Sequence, residues 1–333
     1  SSLIKSGSNT WVIGAANNSY TGATTINGGV LQVGTLANGG SASSIGSSTN
    51  VAANLVLNGG TLRYTGGTVS TNRLFSVGTS GGTIESAGTG PMTMSSAGGS
   101  MGFVGSGARS LTLTGSNTGA NTLTAVIGDS GGATSLVKNG AGNWIITAVN
   151  TYTGSTAVNG GILQVGTTST HRTGTGATTV NSGGTLAGVG TVNGTASVTN
   201  HVFNSGATLS PGINFGANVG TLTFNGNLAL ENGSTSIFQI SNATTNGGAN
   251  LLTALNTGNY DTLGGYRDLN ASAWDAVAIT AGRHDFMQVN GQITLNQNTF
   301  IIQDINNYLT LATTSGKAQS GDIFNLGNWL DLN

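Results

Sequence analysis

Two stretches of this chain carry nearly the same text. LIKSGSNTWVIGAANNSYTGATTINGGVLQVGT runs from Leu3 to Thr35, and LVKNGAGNWIITAVNTYTGSTAVNGGILQVGT runs from Leu136 to about Thr167. Lys5 aligns with Lys138 and Trp11 with Trp144 at an offset of 133; after a one-residue difference, Tyr20 aligns with Tyr152 and Leu31 with Leu163 at 132. A long internal repeat constrains a fold more than any isolated motif. Each copy must form the same local structure and find a neighbour against which to bury its apolar side.

A shorter unit runs beneath: a small polar residue, Gly-Gly, one residue, then Leu or Ile. It recurs at Asn27-Gly28-Gly29-Val30-Leu31, Asn58-Gly59-Gly60-Thr61-Leu62, Ser80-Gly81-Gly82-Thr83-Ile84, Asn159-Gly160-Gly161-Ile162-Leu163 and Ser182-Gly183-Gly184-Thr185-Leu186, with a variant at Ser205-Gly206-Ala207-Thr208-Leu209. Gly59 to Gly81 is 22 residues; Gly160 to Gly183 and Gly183 to Gly206 are 23 each. Short strands at this period, without helices, predict one coil of a parallel β-solenoid per period. The glycines make the corner, the following Leu or Ile points inward, and Thr on alternate positions faces water. Ten to thirteen coils at about 4.8 Å each make a rod on the order of 50–60 Å long. The leucine-rich repeat pattern is absent, and the acidic nonapeptide of Ca²⁺-binding coils fails because only Glu85, Asp129 and Glu231 precede residue 259.

Composition agrees. Glycine contributes 57 of 333 residues and proline 2, charged residues are 6%, yet 37% are apolar, too many for a disordered linker. The apolar residues alternate with Thr, as in Thr-Leu-Thr-Leu-Thr-Gly at 110–115, which is strand patterning. The best helical candidate is short, Asn270 to Ile279 with Trp274. A net charge of −1 leaves no basic stripe for nucleic acid, and no run of about 18 apolar residues would cross a membrane as a helix. Cysteine is absent, which excludes disulfides and thiolate metal sites. The chain opens inside a strand-like pattern without a leader, as a mature product or a fragment would.

The segments Leu-Val-Lys-Asn-Gly-Ala-Gly-Asn-Trp (136–144), Asn-Thr-Tyr-Thr-Gly (150–154) and Val-Asn-Gly-Gly-Ile-Leu-Gln-Val-Gly (158–166) resemble the autotransporter-associated β-strand repeat, also called the passenger-associated transport repeat. Leu209-Ser210-Pro211-Gly212, Val219-Gly220-Thr221-Leu222, Asn225-Gly226 and Tyr260-Asp261-Thr262-Leu263 are similar to the sequence that follows such repeats. The resemblance covers roughly residues 1–263. It implies a right-handed parallel β-helix exported to the bacterial exterior. Residues 264–333 are too few for the membrane β-barrel that would complete an autotransporter.

Charge shifts near residue 259. Residues 1–258 hold 3 acids and 6 Lys or Arg, residues 259–333 hold 7 and 3. Strand-like runs continue at 292–295 and 299–303. We therefore divide the chain into a β-helix region, 1–258, and degenerate coils forming a C-terminal cap, 259–333, with a separate small domain as the alternative, because an open solenoid end exposes unpaired strand edges. No cap precedes Leu3, so either an earlier coil or the end of another molecule is expected there.

Candidate chemistry is sparse. A polysaccharide-degrading β-helix needs carboxylates on neighbouring coils, and Glu85 and Asp129 are 44 residues apart. Arg283-His284-Asp285, near Asp275, is the densest polar cluster and is expected to be a solvated turn. His171, His201 and His284 have no metal-ligand spacing, so no metal, cofactor or catalytic residue is assigned. Trp11 and Trp144, and Tyr20 and Tyr152, would either stack on sugars or fill the coil, and packing is the commoner role of aromatics. The corner asparagines would form inward ladders of stacked amides. The expected function is a non-catalytic structural or adhesive rod at the bacterial surface: a stalk, surface-layer element or head-to-tail filament subunit. The alternatives are a carbohydrate-binding adhesin and, behind it, a polysaccharide-degrading enzyme.

Overall fold

A computed structural model describes residues 1–14, 16–96, 98–194, 199–213, 219–240, 286–290, 292–296 and 299–304. Among them the chain is all-β, with one short 3-10 turn at Ala52–Asn54. Every strand-to-strand ladder is parallel, and the coils wind past three faces. The first face carries eleven strands, from Thr10–Ile13 to Ile293–Leu295, and the second nine, from Val69–Thr71 to Thr299–Asp304. The third begins as five strands, Leu3–Lys5 to Gly102–Val104. It thins to single bridges at Val126, Val149 and Arg172 and resumes as three strands, Thr191–Val192, Thr221–Asn225 and Phe286–Asn290. This is a β-solenoid of about ten turns, on the order of 48 Å along its axis at the usual strand spacing.

Alternation decides which side chains meet inside. Leu31, Leu62, Ile84, Leu163, Leu186 and Leu209, each just past a glycine corner, are fully buried. They stack in register, Leu31 on Leu62 on Ile84 along the first face and Leu163 on Leu186 on Leu209 along the second. Their neighbours alternate to the other side of the sheet, half-exposed on the first face, whereas Gln164, Ala187 and Ser210 on the second are buried there. One coil has no second layer of its own, so this apolar column exists only through stacking.

The expected period of 22–23 holds between Leu62 and Ile84 and between Leu163, Leu186 and Leu209. It stretches to 31 between Leu31 and Leu62 and to 29 between Ile84 and Leu113. The extra residues sit in loops at corners, where length does not disturb strand register.

The two long repeats occupy different faces. In the first, Leu3–Lys5 stacks on Thr24–Ile26 on the third face and Thr10–Ile13 on Val30–Val33 on the first. In the second, Thr134–Lys138 stacks on Thr156–Val158 on the first face and Asn143–Ile146 on Gly161–Val165 on the second. The copies are therefore separated by five and one third turns, not a whole number.

Of the C-terminal region, Phe286–Asn290, Ile293–Leu295 and Thr299–Asp304 pair onto Thr221–Asn225, Asn227–Leu230 and Thr235–Ile240, adding one coil. The helical candidate at 270–279 and the cluster Asp275, Arg283, His284 and Asp285 lie outside the described residues.

Candidate functional site

The glycine corners split by geometry. Gly29 and Gly161, the second glycines of their pairs, have φ of 61° and 60°; at Gly59, Gly81 and Gly183 the first glycine is the left-handed one, and Gly206 has φ of 77°. Gly28, Gly60, Gly82, Gly160 and Gly184 stay on the ordinary side of the map. At Gly161 a side chain would also collide with the carbonyls of Gly142 and Gly140 in the coil below, whereas at Gly160 the nearest atom would lie 3.4 Å away. Positive φ and close approach thus coincide at one glycine of this pair.

These corners house a feature that sequence reasoning did not single out. Lys5 and Lys138 are both fully buried. The Lys138 ammonium donates to the carbonyls of Asn139 (2.8 Å), Gly140 (2.9 Å) and Gly160 (2.9 Å). The Lys5 ammonium repeats the pattern on Ser6 (3.0 Å), Gly7 (2.8 Å) and Gly28 (2.9 Å). Each lysine ties its own corner to the one above, with a carbonyl for each N–H and no carboxylate. Burial pulls the Lys138 pKa down to about 8, so it remains charged at neutral pH. Arg73 and Arg109 are likewise buried and bound to backbone carbonyls. A signal was present: in a chain with nine Lys and Arg, the same lysine stands at the same place in both repeats.

The repeat aromatics diverge. Trp144 is fully buried between Asn121 and Leu163, its indole N–H donating to the Thr114 carbonyl at 2.9 Å. Trp11 stacks on Leu31 alone and stays 45% exposed, with the Lys5 ammonium 5.4 Å from its ring centre. On different faces, the two cannot form one sugar-binding strip. The tyrosines keep a common partner: Tyr20 bonds Thr24 at 2.8 Å and Tyr152 bonds Thr156 at 2.6 Å. Burial raises both phenols, Tyr152 to about 12.

Asparagine ladders form, but outward. Asn159 donates to Asn139 (2.9 Å), Asn181 to Asn159 (2.6 Å) and Asn204 to Asn181 (2.7 Å). Their predecessors Lys138, Val158, Val180 and Phe203 point inward, so alternation sends the asparagines out, correcting the expected inward ladder. Asn121, Asn150 and Gln164 are the buried side-chain amides among the described residues; that of Asn121 accepts from Ser86 (2.7 Å) and the Met92 N–H (2.8 Å).

Acids are scattered or spent. Glu85 pairs with Arg63 at 2.8 Å across adjacent strands, and Asp129 accepts from the Thr134 and Thr153 N–H groups and the Thr153 hydroxyl. His171 is a partly exposed loop residue. His201 is buried, accepting from the Thr178 N–H at Nδ1 and facing the Asn225 carbonyl at Nε2, both 3.2 Å. Among the described residues no three His, Asp or Glu side chains converge on a point that could hold a metal ion.

The passenger-associated transport repeat family matches at residues 3–33 and 136–165. An 85-residue stretch is 55% identical to the BmaC autotransporter adhesin of Brucella suis biovar 1 (strain 1330), covering 25% of this chain and 2% of that adhesin. The chain thus spans a small part of that relative's length. No solved structure matches significantly. Both matched segments contain the lysine-clamped glycine corner and the Tyr–Thr pair. The two long repeats match the passenger-associated transport repeat, and the chain that carries them is a parallel β-solenoid.

Proposed function

We propose that this chain is a stiff, non-catalytic rod of the bacterial exterior with an adhesive or structural role. The observation that carries the reading is how the few charged groups are used. Four of the six basic residues before position 259 are buried and consumed by backbone carbonyls, and the acids there are isolated or paired. Among the described residues before position 259, what stays outside is mostly Thr, Ser, Asn and small apolar side chains on a parallel sheet, with Arg172 and Asp129 scattered singly, a contact surface that gathers no acid–base group there. The resemblance to an adhesin supports the same reading. Residues 259–333 then serve as the C-terminal cap.

The test is adhesion itself. Beads coated with the purified chain are expected to adhere to host-cell monolayers or matrix-coated glass more than beads coated with an unrelated β-solenoid of equal length. Equal adherence would overturn the adhesive role. Efficient cleavage of an offered polysaccharide would overturn the non-catalytic one.

A second reading, end-to-end assembly, rests on Trp11. Its counterpart Trp144 is covered from both sides, whereas the strands Leu3–Lys5 and Thr10–Ile13 are paired on one side only. Another coil, from this polypeptide or a second copy, would complete that edge. Electron microscopy over a concentration series separates the cases: fibres with a fixed axial repeat support assembly, and single short rods at every concentration sink it.

A further inference from the structure

The two repeats differ at one corner. The second crosses from Val165 to Thr178 in 12 residues, 166–177, while the first takes 21, residues 34–54, between Val33 and Leu55. The crossings share a fixed point. The Ser47 N–H donates to the Tyr20 carbonyl and the Thr175 N–H to the Tyr152 carbonyl. Gly46 lies against the Tyr20 ring as Gly174 lies against that of Tyr152. The extra residues therefore fall on both sides of Gly46 and make two adjoining arches over one corner.

These arches are built, not slack. Arg73, from the next coil and 2% exposed, reaches into both. Its guanidinium donates to the carbonyls of Ala37 (2.9 Å), Asn38 (3.4 Å) and Ser41 (3.1 Å) in the first arch, to Gly46 (2.8 Å) between them, and to the carbonyl (3.0 Å) and hydroxyl (2.9 Å) of Ser48 in the second. No carboxylate shares it. A planar fork of five donors matches a ring of carbonyls as an ammonium would not. Asn38 and Asn72 lock the first arch, the Asn38 side chain accepting from the Asn72 N–H at 2.9 Å and the Asn72 side chain from the Gly39 N–H at 2.8 Å. The Asn54 amide closes the second onto Thr49. Leu36 and Ile45 are buried beneath.

The crest presents Asn38, Ser41, Thr49 and Asn50, all exposed, beside Val51 at 52% exposure. It offers amides, hydroxyls and one apolar side chain, and no charge: the single basic group nearby is buried and fully bonded. A charged partner would find no counter-charge there. A neutral hydroxyl-rich partner would find the Asn38 amide and Thr49 hydroxyl held by Asn72 and Asn54, the Ser41 and Asn50 side chains beside them on a braced backbone, and a branched aliphatic surface for its C–H faces. Insertions in a repeat protein gather on the surface that makes contacts, and rigid loops bind at lower entropic cost.

We propose that residues 34–54 are a preformed contact loop for uncharged oligosaccharides, and that Arg73 is the positioning residue that holds it in shape. The proposal rests on the adhesive reading above and names the ligand class of one site.

The experiment uses the fluorescently labelled chain on an array of neutral, sialylated and sulfated oligosaccharides, with bead adhesion in parallel. Three proteins are compared: the parent chain, the crest variant Ser41→Ala/Asn50→Ala, and Arg73→Gln. The parent is expected to bind neutral glycans in preference to acidic ones. The crest variant should lose at least tenfold in that binding with unchanged circular dichroism and melting. Arg73→Gln should lose binding and gain a proteinase K cleavage between residues 38 and 51, with the remaining coils resistant. Absence of neutral-glycan binding by the parent, preference for acidic glycans, or undiminished binding by the crest variant overturns the loop assignment. Unaltered proteolysis of Arg73→Gln overturns the role of Arg73. Adhesion that survives in the crest variant removes the loop while leaving the adhesive rod standing; no adhesion by the parent removes the adhesive rod itself.

Discussion

Lys138 shows why so few charges suffice. Its fully buried side chain carries an ammonium that satisfies three partly buried carbonyls of the glycine corner. Hydrogen bonds to a charged donor contribute about 1.5–3 kcal/mol each, and buried carbonyls without partners cost about 1–3 kcal/mol. Lys138→Met, which keeps the stem and removes the charge, is therefore expected to destabilise the solenoid by roughly 3 kcal/mol on the same scale, measured by urea denaturation. A change below about 0.5 kcal/mol would show that the clamp is incidental. His201 gives a pH prediction. Burial depresses its pKa below 6.5, so the unfolded chain takes up the proton first as pH falls. Its contribution is fully present above pH 6.5 and is lost as the pH falls below it. Protonation also removes the Nδ1 acceptor used by the Thr178 N–H. The melting temperature should drop between pH 7 and pH 5, and His201→Gln should flatten that drop. The repeated lysine was visible in the sequence, but its acceptors were not, because they are main-chain atoms fixed only by coil stacking.

At the scale of the corner, the sequence marks where the chain turns but not how. The Gly-Gly pairs located the bends and the inward Leu after them. Which glycine adopts positive φ depends on the coil beneath, and the pattern of residues cannot report it. A paired substitution exposes the difference. Gly160→Ala should be nearly neutral. Gly161→Ala, with φ of 60° and carbonyls below, should cost on the order of 1–3 kcal/mol. Thermal denaturation of the two proteins measures it, and equal losses would refute the assignment. The amide ladder beside these corners was legible as a run of asparagines. Its side of the wall was decided by strand alternation, which the inward lysine and valines set. Coil lengths of 29 and 31 were hidden for a different reason: loops at corners carry no periodic signal.

For the whole molecule, stability is a sum over neighbouring coils. Removing residues 181–203 would join Val180 to Asn204, which Val180 already flanks through Phe203 in register. Leu163 would then meet Leu209, and Asn204 would donate to Asn159. The shortened chain is expected to fold with an unchanged circular dichroism spectrum per residue. Small-angle scattering should find it shorter by about one strand spacing, about 4.8 Å. A collapsed or aggregated product would mean that the coils are not interchangeable. Fold class was legible because stacking imposes it on every period. The contact surface was less so, because Arg73 and the loop residues it binds lie 25 to 36 residues apart and meet only through winding. The winding has a further effect on valency. The two long repeats lie five and one third turns apart, about 26 Å along the axis at the usual strand spacing and a third of a circle around it. Whatever one copy shows to the left, the other shows on another side. A bivalent partner lying flat against the rod can engage one copy at a time, so the duplication brings no avidity from a single surface and instead lets the rod present like groups in two directions.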